Sequence, residues 1–81
     1  MLSNLFDPEE DIEAAAPIVG YKILQLIGDK HSNKVSIFDV ADRFKHERWF
    51  SFRRIHLALV FLYSVGLIEF EQPYIVNNAE N

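Results

Sequence analysis

The C-terminal part of the chain predicts a helix that ends at a glycine and leads directly into a two-stranded hairpin. Ser51, a residue type that caps helix N-termini, precedes the apolar stretch 52–65, and Gly66 has the residue type that most often ends a helix. Leu67–Glu71 and Tyr74–Val76 alternate apolar and polar residues around a Gln-Pro turn, as hairpin strands do. The fold must therefore place a small sheet immediately after its last helix.

Two helices are predicted near the N-terminus. Asp7, a preferred N-cap residue, is followed by Pro8 and two glutamates. This pattern predicts a short acidic helix. That helix ends before Pro17, because proline is poorly tolerated in a helix interior. Pro17 can itself open a second helix that runs to about Gly28. Its apolar stripe at three- and four-residue spacing is Val19, Ile23, Leu26 and Ile27.

A very short strand and a third helix are predicted in the middle of the chain. Lys34-Val35 could form the strand. Ser36, followed three residues later by Asp39, is a capping signal for the helix. A connector, 46–50, leads to the final helix. The predicted buried face of the third helix is Ile37, Val40, Ala41 and Phe44.

This order of elements favours a mainly α single domain with a small β-hairpin, like a winged helix-turn-helix. After the leading helix, the elements are helix, brief strand, helix, helix and two strands, and the brief strand would join the hairpin as its third member. We assign 1–16 to an N-terminal arm and short acidic helix, 17–77 to the winged-helix-like domain and 78–81 to a flexible tail. A plain helical bundle with a C-terminal hairpin is the alternative.

The composition predicts a cytoplasmic domain with a binding surface. The 81 residues suit one domain, and the absence of cysteine excludes disulfides and thiolate metal sites. No apolar run is long enough to cross a bilayer, and no basic leader precedes an apolar stretch, so we expect neither membrane contact nor secretion. Hydrophobic residues make up 49% of the chain, more than a small core hides, which favours a surface that binds a partner.

Charge is unevenly distributed in a chain whose formal net charge is −4. The basic residues Lys45, Arg48, Arg53 and Arg54 cluster around the start of the last helix, where cations oppose the helix dipole. With the free backbone N–H groups of the helix start, they could bind an anion, either a DNA phosphate or a partner's carboxylate. The alternative is that they pair with nearby acids or remain solvated.

The last helix has a predicted core face of Ile55, Ala58, Leu59, Leu62 and Val65. Its opposite side carries Arg53, Leu57, Val60 and Ser64. A DNA-reading helix presents Arg, Asn, Gln or Ser there, because aliphatic side chains contact thymine methyl groups but cannot read other base edges. Three interpretations stay open: the N-terminal segment covers this face, a partner protein binds it, or it contacts DNA.

Aromatic residues stand among the cations at Trp49, Phe50 and Phe52. They could stack on single-stranded nucleic acid, form a hot spot of a protein interface, or plug the core. We expect Trp49 to anchor a partner contact.

Signals of catalysis are weak in this sequence. The three glycines are isolated, so no phosphate-binding loop is predicted, and the three histidines lack metal-ligand spacing. We expect no enzymatic activity, no cofactor and no metal.

The final helix and hairpin carry a family resemblance. The pattern Phe-x-Arg-x-x-x-Ala-Leu-x-Phe-Leu-Tyr-x-x-Gly-Leu-Ile-Glu resembles the small middle-component subunits of bacterial ABC-three-component systems, which include Lamassu-type anti-phage defence. The matching residues are Phe52, Arg54, Ala58, Leu59, Phe61, Leu62, Tyr63, Gly66, Leu67, Ile68 and Glu69. The resemblance implies a noncatalytic adaptor that accompanies an SMC/Rad50-like ATPase and an effector such as a nuclease.

The sequence therefore predicts an adaptor that docks on a larger ATPase or effector, with at most weak or indirect DNA contact. The predicted interface residues are Trp49, Phe52, Arg53, Leu57 and Val60. A small winged-helix DNA-binding transcriptional regulator is the alternative function. A homodimer through the same face is a third interpretation.

Overall fold

The computed structural model describes residues 15–78, in which three helices pack on a three-stranded antiparallel sheet. The predicted arm and acidic helix before residue 15, and the tail after residue 78, lie outside the described residues. The elements are α1 (Ala16–Gly28), β1 (Lys34–Ser36), α2 (Ile37–Phe44), α3 (Phe52–Ser64), β2 (Ile68–Glu71) and β3 (Tyr74–Asn77).

Helix α1 buries the stripe that its apolar spacing predicts. Val19, Ile23 and Ile27 are fully buried, and Leu26 packs against the core from its edge. Pro17 lies in the first turn, where its missing N–H leaves no helical hydrogen bond unmade. The stripe directs α1 against α3, in the most extensive helix–helix contact of the described residues.

Helix α2 begins with the predicted capping box. The Asp39 backbone N–H donates to Ser36 Oγ over 3.0 Å, and the Ser36 N–H donates back to Asp39 Oδ2 over 3.2 Å. Val40 and Phe44 are buried as predicted, but the prediction for Ile37 is wrong because its side chain is exposed. Ile37 is the first residue of α2 and projects beyond the layer that Val40 and Phe44 fill.

Helix α3 is closed at both ends by the residues that predict it. Ser51 Oγ accepts the N–H of Arg54 at 3.0 Å. At the other end, Gly66 has a φ of 81°, its N–H donates to the Tyr63 carbonyl, and the Leu67 N–H donates to the Leu62 carbonyl. This is the Schellman arrangement, which requires a residue that tolerates positive φ. The chain therefore leaves α3 directly into the hairpin.

The core face of α3 is confirmed except at its last predicted position. The buried residues are Ile55, Ala58, Leu59 and Leu62. Val65 is exposed, so its assignment to the core is wrong. Val65 is the C-cap residue, where the backbone has already left helical geometry and the 100° rotation per residue no longer applies.

The short strand β1 joins the hairpin, as predicted. The sheet order is β1-β3-β2, with both pairs antiparallel. Val35, Ile75 and Phe70 are direct cross-strand neighbours and form one row on the inner face of the sheet. Ile68 lies on the same face of β2 as Phe70, two residues earlier. Val35, Ile75 and Ile68 are buried against the helices, which makes this face one wall of the core.

The described residues therefore form one small, mostly helical domain with a three-stranded antiparallel sheet. Within residues 15–78, no helix is both long and apolar enough to span a membrane.

Candidate protein-interaction site

An apolar groove lies where the first turn of α2, the outer side of α3 and the hairpin meet. Its volume is about 440 Å³. Aliphatic and aromatic side chains dominate its walls, among them Ile37, Phe38, Val60, Phe70 and Tyr74. His56, Gln72 and the hydroxyl group of Tyr74 are the polar groups of the lining. Grooves of this composition bind apolar side chains of a ligand or a partner protein.

The hairpin supplies the groove with Phe70 because of its place in the sheet. Phe70 ends the row that Val35 and Ile75 begin, but it lies on the edge strand β2, one residue pair before the turn. There the helices no longer cover the inner face, and Phe70 remains partly exposed. Its ring contacts Tyr63 of α3, with 5.3 Å between the ring centroids. The groove is thus the open end of the core-facing side of the sheet.

The start of α2 is tied to the hairpin turn on the other side of the groove. The Ile37 backbone N–H donates to the Pro73 carbonyl over 2.9 Å. This bond uses one of the free N–H groups at the start of α2 and fixes the distance between α2 and the turn. Phe38, the next residue, keeps 71% of its surface exposed. The backbone hydrogen bond therefore holds the α2 wall of the groove in place, while the Phe38 side chain remains exposed for contact.

Leu57 and Val60 lie on the outside of α3, as the helical spacing predicts. Each keeps 44% of its surface exposed. Val60 lines the groove directly, and Leu57 extends the apolar surface toward the start of the helix. Arg53, one turn before Leu57, is also exposed. The structure thus brings the predicted residues Leu57 and Val60 together with aromatic residues of α2 and the hairpin.

Trp49 is not an anchor for a partner, and this prediction is wrong. Only 2% of its surface is exposed, and its ring packs against Phe44 with 5.6 Å between centroids. Its carbonyl oxygen accepts a hydrogen bond from Arg54 Nη1 over 3.1 Å. The large apolar ring fills the space beneath the connector between α2 and α3, so the core-plug interpretation holds for this residue.

The other two aromatics of the connector region lie closer to the surface. Phe50 is partly buried, whereas Phe52 keeps 73% of its surface exposed. Their rings pack edge to face at 5.2 Å, which holds the exposed ring in place. Phe52 therefore remains a candidate contact residue, although it is not among the residues that line the groove.

The predicted anion-binding cations do not form one cluster of equivalent side chains. Lys45 Nζ forms an ion pair with Asp42 Oδ1 at 2.9 Å, and this hydrogen bond lowers the pKa of the Asp42 carboxyl. The Arg54 guanidinium is engaged with the Trp49 carbonyl. Arg48 and Arg53 are exposed. The arrangement therefore leaves two of the four predicted cations as the accessible candidates for an anion.

A second, polar depression of about 560 Å³ lies between the C-terminal ends of α1 and α2. It places Lys22 and Arg43 beside Asp29 and Glu47, so its charges largely compensate one another. Within residues 15–78, no three His, Asp or Glu side chains come together as a metal site. The apolar groove is consequently the more distinctive feature.

The sequence analysis did not predict the three aromatic residues of the groove as interface residues: Phe38, Phe70 and Tyr74. The position of Phe38 could have indicated its exposure. It falls outside the predicted buried face of α2, and an aromatic residue outside that face must be directed toward solvent or a partner. The position of Phe70 gave no such indication, since the alternation along β2 places it on the core side together with Ile68.

Comparison of the chain with protein-family models, curated proteins and solved structures finds no match.

Proposed function

We propose that the protein is a noncatalytic winged-helix adaptor that binds a larger protein through the apolar groove. The observation that carries this proposal is the exposure of Phe38, Val60 and Phe70 around one concave surface. Partly exposed aromatic and aliphatic side chains that converge on a groove fit an apolar helix or loop of another protein. Protein-interface hot spots are clusters of this kind.

The winged-helix part of the proposal is supported by the order and pairing of the elements. A helix, a short strand and two helices precede the hairpin, and the short strand pairs with the second hairpin strand. In this interpretation α3 corresponds to the recognition helix, which in DNA-binding winged-helix proteins enters the major groove. Leu57 and Val60 occupy the outer face of α3, and neither side chain can hydrogen-bond a base edge. The face is better suited to a protein than to DNA.

The proposed partner is an SMC/Rad50-like ATPase, or its effector, in a bacterial anti-phage defence complex. This step rests on the resemblance of the α3–β2 region to middle-component subunits. Of the matching residues, Ala58, Leu59 and Leu62 are buried and support the fold, whereas Phe52 and Tyr63 are exposed and could contact the partner. Neighbouring genes would identify the ATPase to be tested.

The proposal is tested by co-purification with an SMC/Rad50-like ATPase chosen from the products of the neighbouring genes. We expect Leu57→Asp and Val60→Asp each to abolish co-purification, because a buried, unpaired carboxylate in the interface is strongly unfavourable. Circular dichroism and thermal unfolding should stay close to those of the parent chain, since both side chains are exposed.

Tyr21→Asp is the matched control, because Tyr21 is an exposed apolar residue on α1 and does not line the groove. It should co-purify like the parent chain. Normal co-purification of the Leu57→Asp and Val60→Asp chains would remove the groove from the proposal.

A DNA-binding regulator is the second candidate, and the exposure of Arg48 and Arg53 favours it. Two guanidinium groups near the start of α3 could contact phosphates on either side of a DNA groove.

A further inference from the structure

We propose that the N-terminal segment of the same chain, residues 1–14, binds in the apolar groove when no partner is present. The segment would then act as an intramolecular competitor that a partner must displace. The binding itself is a property of the free protein, whereas its regulatory consequence rests on the proposed function.

Charge complementarity is the first argument. All eight Lys and Arg residues lie within 15–78 together with six of the twelve Asp and Glu residues, so this part has a formal charge of +2 with His neutral. Residues 1–14 contain five Asp and Glu residues and neither Lys nor Arg. The segment and the domain therefore attract each other, and the exposed cation Arg53 lies one turn before Leu57 on the outer side of α3.

Apolar complementarity is the second argument. The segment begins with Leu2, Leu5 and Phe6 before its acidic part. Leu5-Phe6 joins an aliphatic and an aromatic residue, the classes that line the groove at Val60 and Phe70. The apolar pair suits the apolar groove, and the acids that follow it suit the net positive charge of the domain as a whole.

The third argument is the reach of the chain. A Cβ at Gly20 would lie 2.9 Å from Leu62 Cδ2, so the beginning of α1 packs beside the C-terminal half of α3. Val60 is two residues from Leu62, on the groove side of the same helix. The eight residues between Phe6 and Ala15 span about 12 Å as a helix and at most about 28 Å when extended, and a helix of the length of α3 is roughly 20 Å long. When the segment is extended, Phe6 can therefore reach the end of the groove at Val60.

Because the N-terminal segment belongs to the same chain as the groove, weak contacts are sufficient for it to bind there. A ligand joined to its site through a short stretch of the same chain has an effective concentration in the millimolar range. Burial of two large apolar side chains such as Leu5 and Phe6 is then enough to populate the bound form. An external partner would meet a groove whose apparent affinity is reduced by roughly tenfold if their burial gives an intrinsic Kd of about 0.1 mM against a millimolar effective concentration.

The test uses paramagnetic relaxation in the full-length chain. The protein contains no cysteine, so Asn4→Cys gives a single site for a nitroxide label next to Leu5 and Phe6. Broadening by the label falls steeply with distance. We expect strong loss of amide intensity at Val60 and Phe70, and little loss at Gln25 and Arg43, which border the polar depression instead.

Two controls make the result specific. The same labelled chain carrying Leu5→Asp and Phe6→Asp should lose the broadening at Val60 and Phe70. A mixture of ¹⁵N-labelled chains without nitroxide and nitroxide-labelled chains without ¹⁵N should show none. Absence of broadening at the groove, broadening that persists in the double-Asp chain, or broadening in the mixture, which would mean a second copy in the groove, would each overturn the proposal.

This experiment tests the intramolecular contact independently of the proposed adaptor function, because no partner is present in the sample. If the segment binds but Leu57→Asp and Val60→Asp leave co-purification intact, the adaptor function fails and the intramolecular contact stands. If the segment does not bind but both variants lose the partner, the reverse holds.

Discussion

Gly20 is the single residue on which the approach of α1 to α3 depends most directly. A Cβ at this position would lie 2.9 Å from Leu62 Cδ2 and 3.1 Å from Leu62 Cγ. Leu62 is fully buried, so its side chain has no free space into which it could turn. The absence of a side chain at Gly20 therefore sets how closely the two helices pack, and with it the position of the outer face of α3.

A matched pair of glycine substitutions on α1 tests this packing. We expect Gly20→Ala to destabilise the domain by about 1 kcal/mol, because overpacking at roughly 1–3 kcal/mol outweighs the gain in helix propensity of about 1 kcal/mol. Gly28→Ala should be neutral or stabilise by up to about 1 kcal/mol, since nothing lies within 4 Å of a Cβ there. Urea unfolding midpoints measure both effects, and a Gly20→Ala midpoint above that of the parent chain would contradict the close contact.

At the scale of whole elements, serine N-caps set the starts of α2 and α3, and a glycine with positive φ sets the end of α3. Ser36 and Ser51 each accept an N–H of the first turn at 3.0 Å. Gly66 then turns the chain so that Leu67 packs against the core and β2 begins at once. These short-range interactions fix the direction in which α3 leads into the hairpin, and they place Phe70 next to Tyr63.

Three serine-to-alanine substitutions distinguish the loss of a helix cap from the loss of any serine hydroxyl group. Ser36→Ala and Ser51→Ala should each destabilise the domain by about 1 kcal/mol, because each leaves a first-turn N–H without its acceptor. Ser64→Ala is the control: its Oγ donates to the Val60 carbonyl, a local bond that contributes little in a helix, so we expect a change of only a few tenths of a kcal/mol. Thermal unfolding followed by circular dichroism would show the difference, and equal effects at all three serines would argue against a capping role.

At the scale of the whole molecule, the distribution of charge bears on the choice between protein and DNA partners. The chain has a net charge of −4, yet every Lys and Arg residue lies within 15–78. Lys45 is paired with Asp42 and Arg54 with a backbone carbonyl. Of the four predicted cations, Arg48 in the connector and Arg53 in the first turn of α3 remain accessible, and two arginines offer few phosphate contacts.

If the groove binds protein, duplex DNA should bind weakly or not at all. We expect no mobility shift of a short duplex at low salt with micromolar protein, because two phosphate contacts give little affinity. A shift that weakens steeply with salt and disappears in an Arg48→Ala/Arg53→Ala chain, but persists in Lys30→Ala, would instead support the regulator. Lys30 is the matched control because it is an exposed cation in the loop after α1.

The sequence by itself determined the elements of this domain. Ser36, Ser51 and Gly66 act on backbone groups within a few residues, so their residue types are sufficient to predict where helices start and end. The stripe that includes Val19 and Ile23 and the alternation around Ile75 predict buried faces, because the periods of helix and strand are fixed by backbone geometry. The prediction that Leu57 and Val60 face outward follows from the same period.

Only the tertiary structure decided which of these side chains are covered, and so where the groove lies. Trp49 lies in a connector, which has no regular period, and its burial depends on packing such as its ring contact with Phe44. Ile37 and Phe70 have core-facing positions by period but lie at the margins of their elements, where the neighbouring elements among residues 15–78 cover them only in part. Burial is set by contacts between residues distant in sequence, and that is why the groove emerges from the assembled fold and not from any one segment.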